Sequence, residues 1–79
     1  MRPQKRSFSI KGHRTSISLE APFWQALREI AEHRDMPLAA LVTEIDENRG
    51  DDSGLSTAVR LYVLQHLQQR LRACGQQNA

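Results

Sequence analysis

One cysteine, Cys74, is all that this chain of 79 residues carries, so no intrachain disulfide can form and a disulfide-stapled secreted scaffold is excluded. A reducing cytoplasm fits that chemistry. Long apolar runs are missing too. None approaches the ~20 residues of a membrane-spanning helix. The opening residues, MRPQKRSFSIKGHR, lack the apolar stretch of a signal peptide, so the expectation is a chain neither inserted in a membrane nor exported. Gly (four) and Pro (three) are too few for a disordered or fibrous chain, while 39% hydrophobic and 25% charged residues suit an ordinary globular domain. At this length there is room for one small domain and none for a large catalytic fold.

Acids are absent before Glu20. Arg2, Lys5, Arg6, Lys11 and Arg14 supply five of the eleven bases ahead of it, which leaves six bases against nine acids, a net −3, over residues 15–79. A basic arm on an acidic body points to a polyanionic partner.

Catalytic and metal motifs are equally scarce. His13, His33 and His66 are scattered, Cys74 has no neighbour at metal-ligand spacing, and neither a Gly-rich phosphate loop nor a nucleophile motif occurs. Glu44, Asp46 and Glu47 with Asp51 and Asp52 lack the alternating spacing of a calcium loop and read as a solvated helix end. No enzymatic function, cofactor or metal site is expected.

What is present is hydrophobic periodicity. TSISLE, residues 15–20, alternates Ile17 and Leu19 with Ser16 and Ser18, the period-two pattern of a half-buried strand, with Arg14 on the serine side. SFSIK, residues 7–11, alternates likewise. It reads either as a second strand folded back through Lys11-Gly12-His13 or as an arm that orders only on a partner. Pro22 opens a helix over 22–34 with Phe23, Ala26, Leu27, Ile30 and Ala31 on one stripe and Trp24 beside it. Asp35-Met36-Pro37 breaks it. A second helix follows over 37–48, its apolar face made by Leu38, Leu41, Val42 and Ile45. Gly50 is placed like a C-cap and Asp52 or Ser53 like the next N-cap, with a third helix from about 53 to 73. In that helix Leu55, Val59, Tyr62, Val63, Leu67 and Leu71 form a stripe that Leu61 and Leu64 widen beyond what one copy can cover.

A lone strand leaves its backbone groups unpaired and is not stable in water. If residues 7–11 do not pair with 14–20, the same segment of a second copy can, about a two-fold axis. Here the sequence resembles the ribbon-helix-helix DNA-binding proteins, bacterial regulators whose intertwined homodimers insert a two-stranded ribbon into the major groove. Arg14-Thr15-Ser16-Ile17-Ser18-Leu19 matches the ribbon, Phe23, Leu27, Ile30 and Ala31 the first helix, and Asp35 to Leu41 the turn and the start of the second. GHRTSISLEAPFW, LREIAEHR and SGLSTAVRLYVL are similar to a branch with an extra C-terminal helix.

The resemblance implies a mostly α fold with one short N-terminal strand, built as an intertwined homodimer with a third, C-terminal helix. Residues 1–13 are then a basic arm, 14–73 the domain and 74–79 a tail. It implies base contacts from Arg14, Ser16 and Ser18, and phosphate contacts from Lys5, Arg6 and Lys11 and from the Leu38 and Ala39 amides at the second helix, although Pro37 stands where a hydroxyl residue is usual. Ile17, Leu19, Phe23, Leu27, Leu41 and Ile45 would fill the dimer core. The expected function is a sequence-specific transcriptional regulator in the cytoplasm, associated with the nucleoid. Its expected partners are double-stranded DNA and a second copy, with higher-order assembly open. The alternative is an antitoxin or protein-interaction module that uses the third helix.

Overall fold

The computed structural model describes residues 2–49 and 54–77. Gly50, Asp51, Asp52 and Ser53, and with them the expected caps and part of the acid run, lie outside the described residues. The elements are β1 (Gln4–Ile10), β2 (His13–Leu19), α1 (Ala21–His33), α2 (Leu38–Asn48) and α3 (Leu55–Gln77). The three helices and the preceding ribbon are those the sequence leads one to expect. The strand count is not.

Two strands stand where the resemblance gives one, and β1 is the partner that β2 requires. The reason is the turn. Lys11 at φ 53° and Gly12 at φ 80° both occupy the left-handed region, as the two central residues of a type I′ turn must. That turn matches the right-handed twist of paired strands, so residues 4–10 fold back on 13–19 instead of trailing as an arm. The expectation that β2 is completed by its twin from another molecule is corrected accordingly: it is zipped to its own chain.

Ile10, Ile17 and Leu19 lie on the inner face of this hairpin. They are buried with Trp24, Leu27, Ile30 and Ala31 of α1, Leu41, Val42 and Ile45 of α2, and Val59 and Val63 of α3. Five of the six residues assigned to a dimer core, namely Ile17, Leu19, Leu27, Leu41 and Ile45, are thus already buried within a single chain, and Phe23 packs half-buried against them. Trp24 belongs inside the α1 stripe rather than beside it, with 2% of its surface exposed.

α1 ends in a tight C-terminal lock. The Met36 amide donates to the Ala31 carbonyl and the Asp35 amide to that of Glu32, each at 3.0 Å, with Asp35 at φ 56°. This is the Schellman arrangement with Asp in the position that glycine favours. Pro37 then acts as the N-cap of α2, its carbonyl accepting from the Leu41 amide at 3.1 Å, so the helix itself begins at Leu38, one residue after the expected start. α3 continues four residues past the expected end, so the tail from 74 is helical through Gln77. Among the described residues no helix is long and apolar enough to cross a membrane.

Candidate nucleic-acid interface

Register decides which side chains share a face. Lys5 stands opposite Ser18, Ser7 opposite Ser16, and Ser9 opposite Arg14, alternating with Gln4–Leu19, Arg6–Ile17, Phe8–Thr15 and Ile10–His13. Because successive side chains point to opposite sides of a strand, Lys5, Ser7, Ser9, Arg14, Ser16 and Ser18 form one face. Five of them are exposed and Ser18 is half-buried. The face carries two cations, four hydroxyls and no acid.

Both strands are clamped from behind. Trp24 donates its indole Nε1–H to the Gln4 carbonyl at 2.9 Å, and its ring lies 5.9 Å from that of Phe8 and 5.3 Å from the Arg6 guanidinium. On the other strand, the Ser18 amide donates to Ser56 Oγ of α3 at 3.2 Å. Arg60 Nη2 donates to the Ser18 carbonyl at 3.2 Å, and Arg60 also holds the Glu20 carboxylate at 3.2 Å while its guanidinium lies 5.9 Å from the Phe23 ring. Bonding from Glu20's own backbone and from Arg60 keeps that carboxyl below its ordinary value. A surface held on two sides by a packed body is preorganised.

The residues assigned from sequence are therefore distributed as follows. Arg14, Ser16 and Ser18 come together, and Lys5 joins them instead of lying in a loose arm. Arg6 is on the inner side over Trp24, while Lys11 sits in the turn at the tip. Leu38, half-buried, and Ala39, exposed, occupy the first turn of α2, whose cap makes no side-chain hydrogen bond. Their amides lie where the helix dipole favours an anion. Ser7 and Ser9 were missed. A signal existed in the near-repeat of Ser7-Phe8-Ser9-Ile10 as Ser16-Ile17-Ser18-Leu19, nine residues later, with Lys11-Gly12 between the two.

Elsewhere Arg34, the C-cap of α1, grips Glu44 of α2 through its two terminal guanidinium nitrogens and donates to the Tyr62 hydroxyl of α3 at 3.0 Å. That bonding raises the Arg34 pKa and lowers that of Glu44. This cluster ties the three helices together at the surface. Among the described residues no group of three or more His, Cys, Asp or Glu is placed to hold a metal ion.

Residues 3–67 match the family model described as ribbon-helix-helix domain. No curated protein and no solved structure matches the chain.

Proposed function

The chain belongs to the ribbon-helix-helix family, and from that premise we propose that it is a DNA-binding regulator that lays its hairpin into the major groove. The observation that carries this reading is the outer face of the ribbon, where Lys5, Ser7, Ser9, Arg14, Ser16 and Ser18 offer only cationic and hydroxyl groups. A major groove about 12 Å wide admits a two-stranded ribbon, an Arg can donate twice to a guanine edge, and a hydroxyl can give or accept one bond. Lys11 and Arg6, with the Leu38 and Ala39 amides, serve phosphates, which give affinity without sequence information. Occupying an operator in the nucleoid would then block or aid transcription.

We further read the protein as a homodimer. Leu61, Leu64, Leu67 and Leu71 are 45–74% exposed on α3. Three of these, Leu61, Leu64 and Leu67, themselves line a groove of about 390 Å³ together with Val63 and with Phe23 and Ala26 of α1. A two-fold operation can pack this single apolar face of one copy against the same face of another. A separate protein partner on α3, as in an antitoxin, competes for this face.

The test is titration of labelled duplex with the protein between about 50 and 200 mM salt. Affinity that falls steeply with rising salt supports the reading. Association that ignores salt, or no association with any duplex, overturns it.

A further inference from the structure

The near-repeat in the hairpin has a geometric consequence. With Ser7 paired to Ser16, a two-fold axis perpendicular to the ribbon between those residues carries Lys5 onto Arg14 and Ser9 onto Ser18. On the inner side the same axis exchanges Phe8 with Ile17 and Ile10 with Leu19, apolar for apolar. The outer face of one protomer's ribbon is therefore nearly its own two-fold mate, with Ser for Ser at two positions and Lys for Arg at the third, while on the inner side Arg6 falls on Thr15 and Gln4 on His13. Duplex DNA has local two-fold axes of its own perpendicular to the helix. A ribbon of this symmetry, inserted face-on, meets both strands alike.

We propose that the hairpin of a single protomer reads a short, nearly palindromic DNA element whose two ends are told apart by Arg14 and Lys5. The inference rests on the DNA-binding reading above and specifies its target. Lys5 and Arg14 lie at opposite ends of the face, four residues apart along the ribbon and on different strands. At ~3.4 Å per residue this is roughly 14 Å, or about three to four base-pair steps. Arg14 presents a rigid fork that matches the two acceptors of a guanine edge. Lys5 presents a single mobile ammonium and fixes its base less strictly. The serines between them supply the same donor or acceptor choices to both strands. A second difference adds to the first: Ser9 is exposed, whereas Ser18 is half-buried with its amide and carbonyl held by Ser56 and Arg60.

The experiment is enrichment of bound duplexes from a random pool with the wild-type chain, Lys5→Arg and Arg14→Lys, each first checked for native circular dichroism. The wild type should enrich an element with guanines on opposite strands, about three to four steps apart, and with the guanine preference at one end greater by about tenfold. Lys5→Arg should bring the weaker end up to the stronger, giving an element that reads the same on both strands. Arg14→Lys should lower the stronger end to the weaker. Enriched duplexes without this internal near-symmetry, or a weaker end unmoved by Lys5→Arg, overturn the inference while leaving DNA binding intact. Enrichment of no duplex at all overturns the inference together with the reading beneath it.

Discussion

The indole nitrogen of Trp24 donates to the main-chain carbonyl of Gln4 at 2.9 Å, so the most buried aromatic of α1 also fastens the first residue of β1. Trp24→Phe keeps most of the buried ring and removes the donor. It should lower the unfolding free energy by about 1–2 kcal/mol, one hydrogen bond plus part of the packing and of the cation–π contact with Arg6. Urea unfolding measures the loss. Amide exchange should show β1 opening more readily than α2, and uniform loosening of both would count against a local fastening role.

Asp35 adopts φ 56° to close the α1 lock. Asp35→Gly relieves a conformation that costs an L-residue about 1–2 kcal/mol, against about 0.5–1 kcal/mol of extra freedom for glycine in the unfolded chain. The variant should gain about 0.5–1 kcal/mol and melt a few degrees higher. A lower melting temperature would show that the aspartate side chain contributes something the backbone geometry does not reveal.

Much of this was legible from residues alone. The alternation of Ile17 and Leu19 with Ser16 and Ser18, the break at Asp35-Met36-Pro37 and the spacing of Val59 and Val63 all report local periodicity, and each element appears where it was read. Pairing is different, because it is a relation between segments. SFSIK and TSISLE left two partners open for each strand, and only the backbone at Lys11 and Gly12 selects the intrachain one. The same ambiguity moved Ile17, Leu19, Leu27, Leu41 and Ile45 from a shared core into the core of one protomer. It also concealed Ser7 and Ser9, whose role depends on standing opposite Ser16 and Arg14.

Acid should weaken the fold in two stages. His66 lies below its ordinary 6.5 because it is partly buried and feels the positive charge of Arg70 on its own helix and of His33 and Arg34 at the end of α1. Glu44 and Glu20 lie below their ordinary 4.5, the first through Arg34 and the second through its own backbone bonding and Arg60. For all three the unfolded chain takes up more protons than the folded one, so their contribution is present above the ordinary value and lost as pH falls through the folded value. The urea midpoint should fall first below about pH 6.5 and again below about pH 4.5. His66→Gln should remove the first decline and leave the second. A midpoint equally sensitive between pH 5 and 6.5 in that variant would assign the effect elsewhere.

On DNA, Lys11 in the β1–β2 turn and Arg14 in β2 should separate by role. Arg14→Ala should lose about 1–3 kcal/mol of discrimination between preferred and random duplex, while Lys11→Ala should weaken both alike and reduce the salt slope by roughly one. Identical effects of the two changes would remove Arg14 from base reading.

Leu64 and Leu67, 49% and 45% exposed, face solvent in the isolated chain. Replacing both with Asp should leave the single-chain core intact and convert a sedimenting dimer to monomer at micromolar concentration. A wild-type chain that is already monomeric there, or a double variant that still dimerises, would take the α3 stripe out of self-association.

Closing the ribbon through Lys11 and Gly12 also changes what a mutation can do. Where twin strands from two chains make a ribbon, every substitution is imposed twice, once on each side of the dyad. Here the two edges are encoded by separate codons of one gene, so on the proposed reading a change at Lys5 would retune one end of a binding element while Arg14 preserves the other. On that reading operator preference would change in half-steps within each ribbon, every intermediate retaining one of the two contacts.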